Sequence, residues 1–289
     1  MSRSDDLPEP WTREPHDHLV FHEGDKVADI DTSATPGFKG KKSDAAKVQP
    51  KRNERFAELQ EMLYANSKGA GDNKSLLLVM QGMDTAGKGG IVKHVVGAAN
   101  PQGVRYHAFG VPTEEERRHD YLWRIRRALP PAGHIGVFDR SHYEDVLVVR
   151  VHNLVPPEVW GKRYEEINRF EQNLVDEGTT LIKVAMFISL EEQKKRLCKR
   201  LDRPDKYWKY NPKDVDERML WPQYVEAYQA MLEKTSTDYA PWHVVPCDRK
   251  WYGRLAILEL LIEALEGLGL SWPPPDFDVE AEKKRLADA

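Results

Sequence analysis

Gly82-Met83-Asp84-Thr85-Ala86-Gly87-Lys88-Gly89 stands between an apolar run, Leu76-Leu77-Leu78-Val79-Met80, and a helical stretch that starts near Gly90. Strand, glycine-rich turn and helix are the setting a phosphate-binding P-loop requires. Glycines let the backbone turn tightly and aim its N–H groups at one anion. The helix N-terminus behind the loop adds about half a positive charge, and Lys88 adds a mobile full one. The match to G-x-x-x-x-G-K-[ST] fails at its last position, where Gly89 replaces the hydroxyl residue that ordinarily holds magnesium. Two readings are open: a glycine-rich strand–helix turn with a surface lysine, or a phosphate loop whose metal is held elsewhere. Asp84, inside the loop, is the obvious replacement, and the flanking strand and helix favour the second reading.

The chain has 289 residues, enough for one large or two small domains. Hydrophobic residues make up 40% and charged ones 31%, a balance that fits a globular protein with a charged surface. A net charge of −4 excludes a general polyanion binder, so an anion site has to be a local cluster. No apolar run reaches the ~18 residues of a membrane span, and Met1-Ser2-Arg3-Ser4-Asp5-Asp6 carries no apolar signal core. Cys198 and Cys247 form no metal-spaced pair; two idle or packed cysteines point to the cytoplasm.

On the N-terminal side, residues 1–49 show little periodicity and read as an extended arm, with Lys39, Lys41 and Lys42 near its end. Pro50 opens a helix with Phe56, Leu59, Met62 and Leu63 on one face. Residues 67–73 form a loop before the first strand, at about 75–81. After the glycine turn a helix runs to about Ala99, and Val104 to Phe109 is a second strand. Thr113 with Glu116 makes a capping box for a helix striped by Leu122, Ile125 and Leu129 and stopped by Pro130-Pro131.

His134-Ile135-Gly136-Val137-Phe138-Asp139 reads as a buried strand ending in an acid, the way P-loop enzymes present their second carboxylate. In a parallel sheet this end lies at the ligand edge, so Arg140 is placed to clamp a phosphate and Glu144 to hold metal. His142 and Tyr143 read as packing. Pro157 to about Glu177 is a helix closed by Gly178, and Leu181 to Ile188 is a strand. Ser189 and Glu192 cap a helix crowded with Lys194, Lys195, Arg196, Lys199, Arg200 and Arg203. Arg196, Arg200 and Arg203 fall at i, i+4 and i+7 on one face, and Lys206, Lys209 and Lys213 extend the charge. Like charges repel, so a compensating anion is expected and a mobile lid over phosphates is the preferred reading. Such side chains grip phosphate without reading bases, so nucleic acid is not implied. Asp214 starts a helix kinked at Pro222, Trp242 to Pro246 is a fifth strand, and Asp248-Arg249-Lys250 ends it at the ligand edge. A helix follows from Arg254 to Leu268, and residues 273–289 are a charged tail.

The glycine turn through Gly90, Phe138-Asp139-Arg140-Ser141-His142-Tyr143-Glu144-Asp145-Val146, the basic segment, and Ala240-Pro241-Trp242-His243-Val244-Val245-Pro246 resemble, in that order, polyphosphate kinase family 2. The resemblance covers about 37–272. Pro112-Thr113-Glu114-Glu115-Glu116 and His119-Asp120-Tyr121-Leu122-Trp123-Arg124 resemble the subgroup that phosphorylates nucleoside monophosphates and diphosphates. Asp139, where several members of that subgroup have Asn, and Pro222, where Asp is common, depart from the pattern. The resemblance implies a thymidylate-kinase-like P-loop fold: an α/β domain over 50–272, a five-stranded parallel central sheet with helices on both faces, and a basic helical lid at about 190–214. It implies phosphoryl transfer from inorganic polyphosphate to adenine nucleotides, with guanine nucleotides as an alternative. ADP would go to ATP and AMP to ADP, with Mg2+ or Mn2+, in a homo-oligomeric dimer or tetramer; the reverse synthesis is also open. It carries over Asp84, Lys88, Asp139 and Arg140 as the central set, with Asp84 and Asp139 on the metal and Glu144 in support. Gly82, Met83, Thr85, Ala86, Gly87, Gly89 and Gly90 form the phosphate loop, and Arg196, Arg200, Arg203, Lys206 and Lys209 the lid grip. An ATP-dependent nucleoside or nucleotide kinase on the same fold, and a non-catalytic nucleotide switch, are the competing readings.

Overall fold

Five strands form one all-parallel sheet: β1 (Ser75–Gly82), β2 (Val104–Ala108), β3 (Ile135–Asp139), β4 (Thr179–Phe187) and β5 (Trp242–Pro246), in the order β2-β3-β1-β4-β5. The computed structural model describes residues 9–69 and 72–289; positions 1–8 of the expected arm and 70–71 of the expected loop lie outside these. The helices are α1 (Pro15–Leu19), α2 (Lys42–Gly69), α3 (Lys88–His94), α4 (Trp123–Ala128), α5 (Val148–Val151), α6 (Pro157–Asp176), α7 (Leu190–Leu201), α8 (Lys213–Met219), α9 (Trp221–Thr235), α10 (Lys250–Gly267) and α11 (Val279–Ala287).

The unbroken apolar run of β1 is buried on both faces, as a parallel sheet between helices requires. Leu76, Leu78 and Met80 join one core with Phe56 and Leu59 of α2 and Leu258 and Leu261 of α10. Leu77 and Val79 join the other with Ile125 of α4, Ile167 of α6 and Met231 of α9. The expected three-layer α/β arrangement is what the chain forms. β1 pairs with β3 and β4, so the glycine turn after Gly82 and the Asp139 end of β3 open on the same sheet edge.

Several boundaries differ from the sequence expectation. Helix α2 starts at Lys42 and carries Pro50 inside it. A proline there removes one helical hydrogen bond; burial of Ala45 on the N-terminal side of Pro50 and of Phe56 beyond it keeps the helix continuous. Residues 9–41 pack onto the domain: Trp11, Leu19, Phe21, Val27 and Phe38 are buried, and Phe21 N donates to Trp242 O (2.8 Å). Their spacing has no period, so only tertiary contact reveals their burial. Thr113 and Glu116 do exchange capping bonds (3.2 and 2.7 Å), but around a single 3-10 turn; the helix itself restarts at Trp123, behind Asp120, whose Oδ1 accepts from Leu122 N. Helix α3 ends at His94 and a 3-10 turn follows. Pro222 does not kink a long helix; it sits in the first turn of α9, where its missing N–H costs nothing.

Candidate active site

At the head of the site, a Cβ on Gly82 would lie 2.7 Å from Met186 O, so only glycine lets β1 end this close to β4. Gly87 has φ 123° and Thr85 φ 68°. The first is natural for glycine; the second is strained for a β-branched residue. Lys88 is the first residue of α3, and its Nζ donates to Gly82 O (2.6 Å), so its charge lies folded along the loop. Burial pushes its ammonium below the usual lysine value, with Asp139 opposing the shift. A Cβ at Gly89 would meet open space, so packing does not impose the missing hydroxyl there.

Arg140 follows Asp139 with φ 64°, its N–H held by Met80 O (3.1 Å), which turns its side chain back across the end of β1. Its Nη2 donates to Asp84 Oδ1 (2.9 Å), and its Nη1 lies 3.9 Å from Glu144 Oε2. The Glu144 carboxylate, and after it Asp84, hold the guanidinium firmly charged. Burial raises the Glu144 pKa, with Arg140 and Lys88 opposing. The Gln81 amide, with its nitrogen toward Glu144, donates to Oε1 (2.9 Å). Asp84, Lys88, Asp139, Arg140 and Glu144 thus converge at one sheet edge, as expected.

A groove of about 1120 Å³ opens from this cluster. Eleven lysine and arginine side chains line it against three acids, Asp84, Asp139 and Asp202. Phosphate-loop residues from Thr85 to Gly90 form its floor; Gly82 and Met83 line a smaller pocket behind Asp84. Arg200, Arg203, Lys206 and Lys209 line the groove as expected, with local partners: Arg200 reaches Lys209 O and Asp214, and Arg203 and Lys206 share Asp205. Helix α7 ends at Leu201, so Arg203 stands beyond it in extended backbone, and the shared helical face stops at Arg200.

Arg196 departs from the expected phosphate grip. Its Nε donates to Glu192 (2.9 Å), Nη1 to Thr85 O and Ala86 O (2.9 and 3.0 Å), and Nη2 to Cys247 O and Asp248 O (2.6 and 3.0 Å). Those bonds occupy all five N–H groups of a guanidinium. Its capping box is likewise rearranged: Ser189 Oγ accepts from Glu192 N, while Ser189 N turns to Asp248 and frees Glu192 for Arg196. Sequence reasoning missed Lys93, His94 and Arg254 on the groove wall. Arg254 was findable, being four residues past Lys250 on α10 and so on the same face.

His142 and Tyr143 are packing residues, as expected, but of an ionic kind. Tyr143 Oη and His142 Nε2 lie 2.7 and 3.1 Å from Glu171 Oε1, and Lys183 Nζ donates to Glu171 Oε2 (2.6 Å), Thr235 O (2.6 Å) and Tyr143 Oη (3.0 Å). Burial alone raises the Glu171 pKa; Lys183 and His142 bring it below the usual carboxylate value.

No group of three or more His, Cys, Asp or Glu side chains is arranged around a metal position among the described residues. Two carboxylates at a phosphate groove nonetheless suit Mg2+, which is ordinarily held by one or two carboxylates with water and substrate phosphates completing the shell.

The family model of polyphosphate kinase 2 matches residues 40–269. The AMP/ADP-polyphosphate phosphotransferase of Meiothermus ruber is 48% identical over 86% of this chain and 91% of its own. The ADP-polyphosphate phosphotransferase of Rhodopseudomonas palustris is 41% identical over 76% of this chain and 78% of its own. The crystal structure of polyphosphate kinase 2 from Arthrobacter aurescens TC1 superposes with a TM-score of 0.94 at 50% identity, covering 96% of this chain and 98% of that one.

Proposed function

The chain belongs to the polyphosphate kinase 2 family, and on that premise we propose that it transfers the terminal phosphoryl group of inorganic polyphosphate to a nucleotide, ADP to ATP and AMP to ADP. The observation that carries the reading is the groove with its excess of cations, ending on Asp84, Lys88, Asp139 and Arg140. A chain of phosphates supplies the missing negative charge along its whole length; a single nucleotide triphosphate covers only one end.

In the transfer, a nucleotide phosphate oxygen forms the new P–O bond while the bridging P–O bond to polyphosphate breaks, and the shortened chain leaves as an anion. The attacking oxygen is already anionic, so alignment and charge stabilisation matter more than a base. Lys88 exchanges Gly82 O for a phosphate oxygen, and with Arg140 it neutralises charge on the moving group. Asp84 and Asp139 orient the acceptor and would hold Mg2+, or Mn2+ in its place, which when bound neutralises phosphate charge. Arg200, Arg203, Lys206 and Lys209 close as a lid, excluding water that would hydrolyse the polymer.

The cytoplasm is the proposed location, supported by two unbridged cysteines. The proposed assembly is a homo-oligomer, dimer or tetramer, which would cover exposed apolar side chains such as Leu154 and Met219. Adenine nucleotides are the proposed acceptors, with guanine nucleotides next. Incubating the protein with AMP or ADP and Mg2+, with polyphosphate or ATP as donor, and separating the nucleotides tests the reading. Product with polyphosphate is expected; transfer from ATP alone would make it an ATP-dependent kinase.

A further inference from the structure

Arg196 sits where a polyphosphate ligand would be sought, on the helix leading to the basic segment, yet its guanidinium has no donor left for a phosphate. What it does hold is the backbone of the phosphate loop. Two of its bonds take the carbonyls of Thr85 and Ala86, and two more take those of Cys247 and Asp248 beyond β5. Thr85 is the strained residue of the loop, with φ 68° and a buried Oγ1 that finds no partner among the described residues. Left-handed backbone at a β-branched residue is strained and persists only where the surroundings hold it. Arg196, 4% exposed in its side chain, supplies that hold from behind. Gln193, one turn earlier on α7, adds a longer contact to Asp84 O (3.3 Å).

We infer that Arg196 is a positioning residue of the phosphate loop: it fixes the Thr85 and Ala86 carbonyls so that the loop keeps its anion-binding shape. It also ties the base of α7, and through it the basic segment, to the loop that segment faces. Only a planar five-donor group can serve four carbonyls and a carboxylate at once. Lysine in its place keeps the charge and loses the geometry. A phosphate ligand would behave in the opposite way, tolerating lysine and adding to the salt dependence of polyphosphate binding.

The inference rests on the polyphosphate-transfer reading, and the test separates the two. Arg196→Lys and Arg196→Gly are compared with wild type, using whichever donor the wild type turns over, so a failure of the polyphosphate reading leaves the Arg196 result legible. Expected for Arg196→Lys is a fall in kcat of roughly a hundredfold, the scale of a displaced catalytic geometry. Its donor KM should keep the wild-type dependence on salt, and millimolar guanidinium should restore part of the activity of Arg196→Gly. Near-normal kcat in Arg196→Lys, or a flattened salt dependence of its donor KM, overturns the inference. Should the Arg196 variants fail to fold, a wild-type crystal with tripolyphosphate decides: the guanidinium is expected still on its four carbonyls, and a phosphate oxygen within about 3 Å of it overturns the inference.

Discussion

Two charged clusters draw residues from the segment that follows β3, and they differ in how their charges are balanced. In one, Lys183, Glu171, Tyr143 and His142 are sealed from solvent, and Lys183 spends each of its three N–H groups on a partner. In the other, Asp84, Asp139 and Arg140 meet Lys88 at the end of a groove where cations far outnumber acids. Both clusters bring lysine, acid and ring or guanidinium together. The closed one holds the turn that carries Arg140 and Glu144; the open one is left to be completed by an anion. The contrast teaches that a buried ionic group is functional when its charge remains unmatched by its own chain.

The largest effect should follow from the open cluster. Lys88→Ala and Asp84→Asn are each expected to lower kcat on the order of a hundred- to thousandfold, the scale of one lost electrostatic contact at a transferring group, while thermal melting stays near wild type. Melting losses that match the activity losses would erase the contrast. The closed cluster should respond in the opposite sense. Glu171→Leu leaves Lys183 charged and unpaired in the core and is expected to cost ~3–5 kcal/mol of stability. Glu171→Leu combined with Lys183→Met should cost less than the single change, read as denaturant midpoints; a double variant worse than the single one would contradict the pairing.

The groove should show its charge through substrate. Arg203→Gln with Lys206→Gln is expected to raise the polyphosphate KM severalfold and the nucleotide KM little, and to weaken the salt dependence of the former. Equal effects on both would place the nucleotide under the basic segment.

A smaller, pH-dependent effect belongs to the N-terminal segment. His243 is buried; burial, followed by His16, pushes its pKa down to about 3. Its Nε2 lies 2.9 Å from His16 Nδ1. Above the unfolded value, near 6.5, both states leave it neutral. As pH falls from there toward about 3, the unfolded chain takes the proton and the native one does not, so stability is lost across that window. His243→Asn should flatten that part of the stability profile; an unchanged slope would assign the acid sensitivity elsewhere.

Much of this was legible in the residues. The doubly buried run Leu76–Met80, the glycine turn and the Asp139–Arg140 pair announce a parallel sheet with a phosphate site at its edge, because burial on both faces and phosphate binding each leave a local pattern. Arg196 was misread because periodicity assigns a face, and cannot tell that this face meets the carbonyls of Thr85 and Cys247 before it meets solvent. Residues 9–41 were misread as an arm because Trp11, Phe21 and Phe38 reach the core singly. Lys183 and Glu171 were passed over because a strand lysine and a helix glutamate look solvated until the fold sets them 2.6 Å apart.

The most direct test compares the two clusters in one assay, polyphosphate-to-ADP transfer by Asp139→Ala and by the Glu171→Leu/Lys183→Met pair. The account predicts a loss on the order of a hundredfold for the first and a rate near wild type for the second, measured well below its melting temperature. Near-normal transfer by Asp139→Ala, with the rate abolished in a folded core variant, would contradict it.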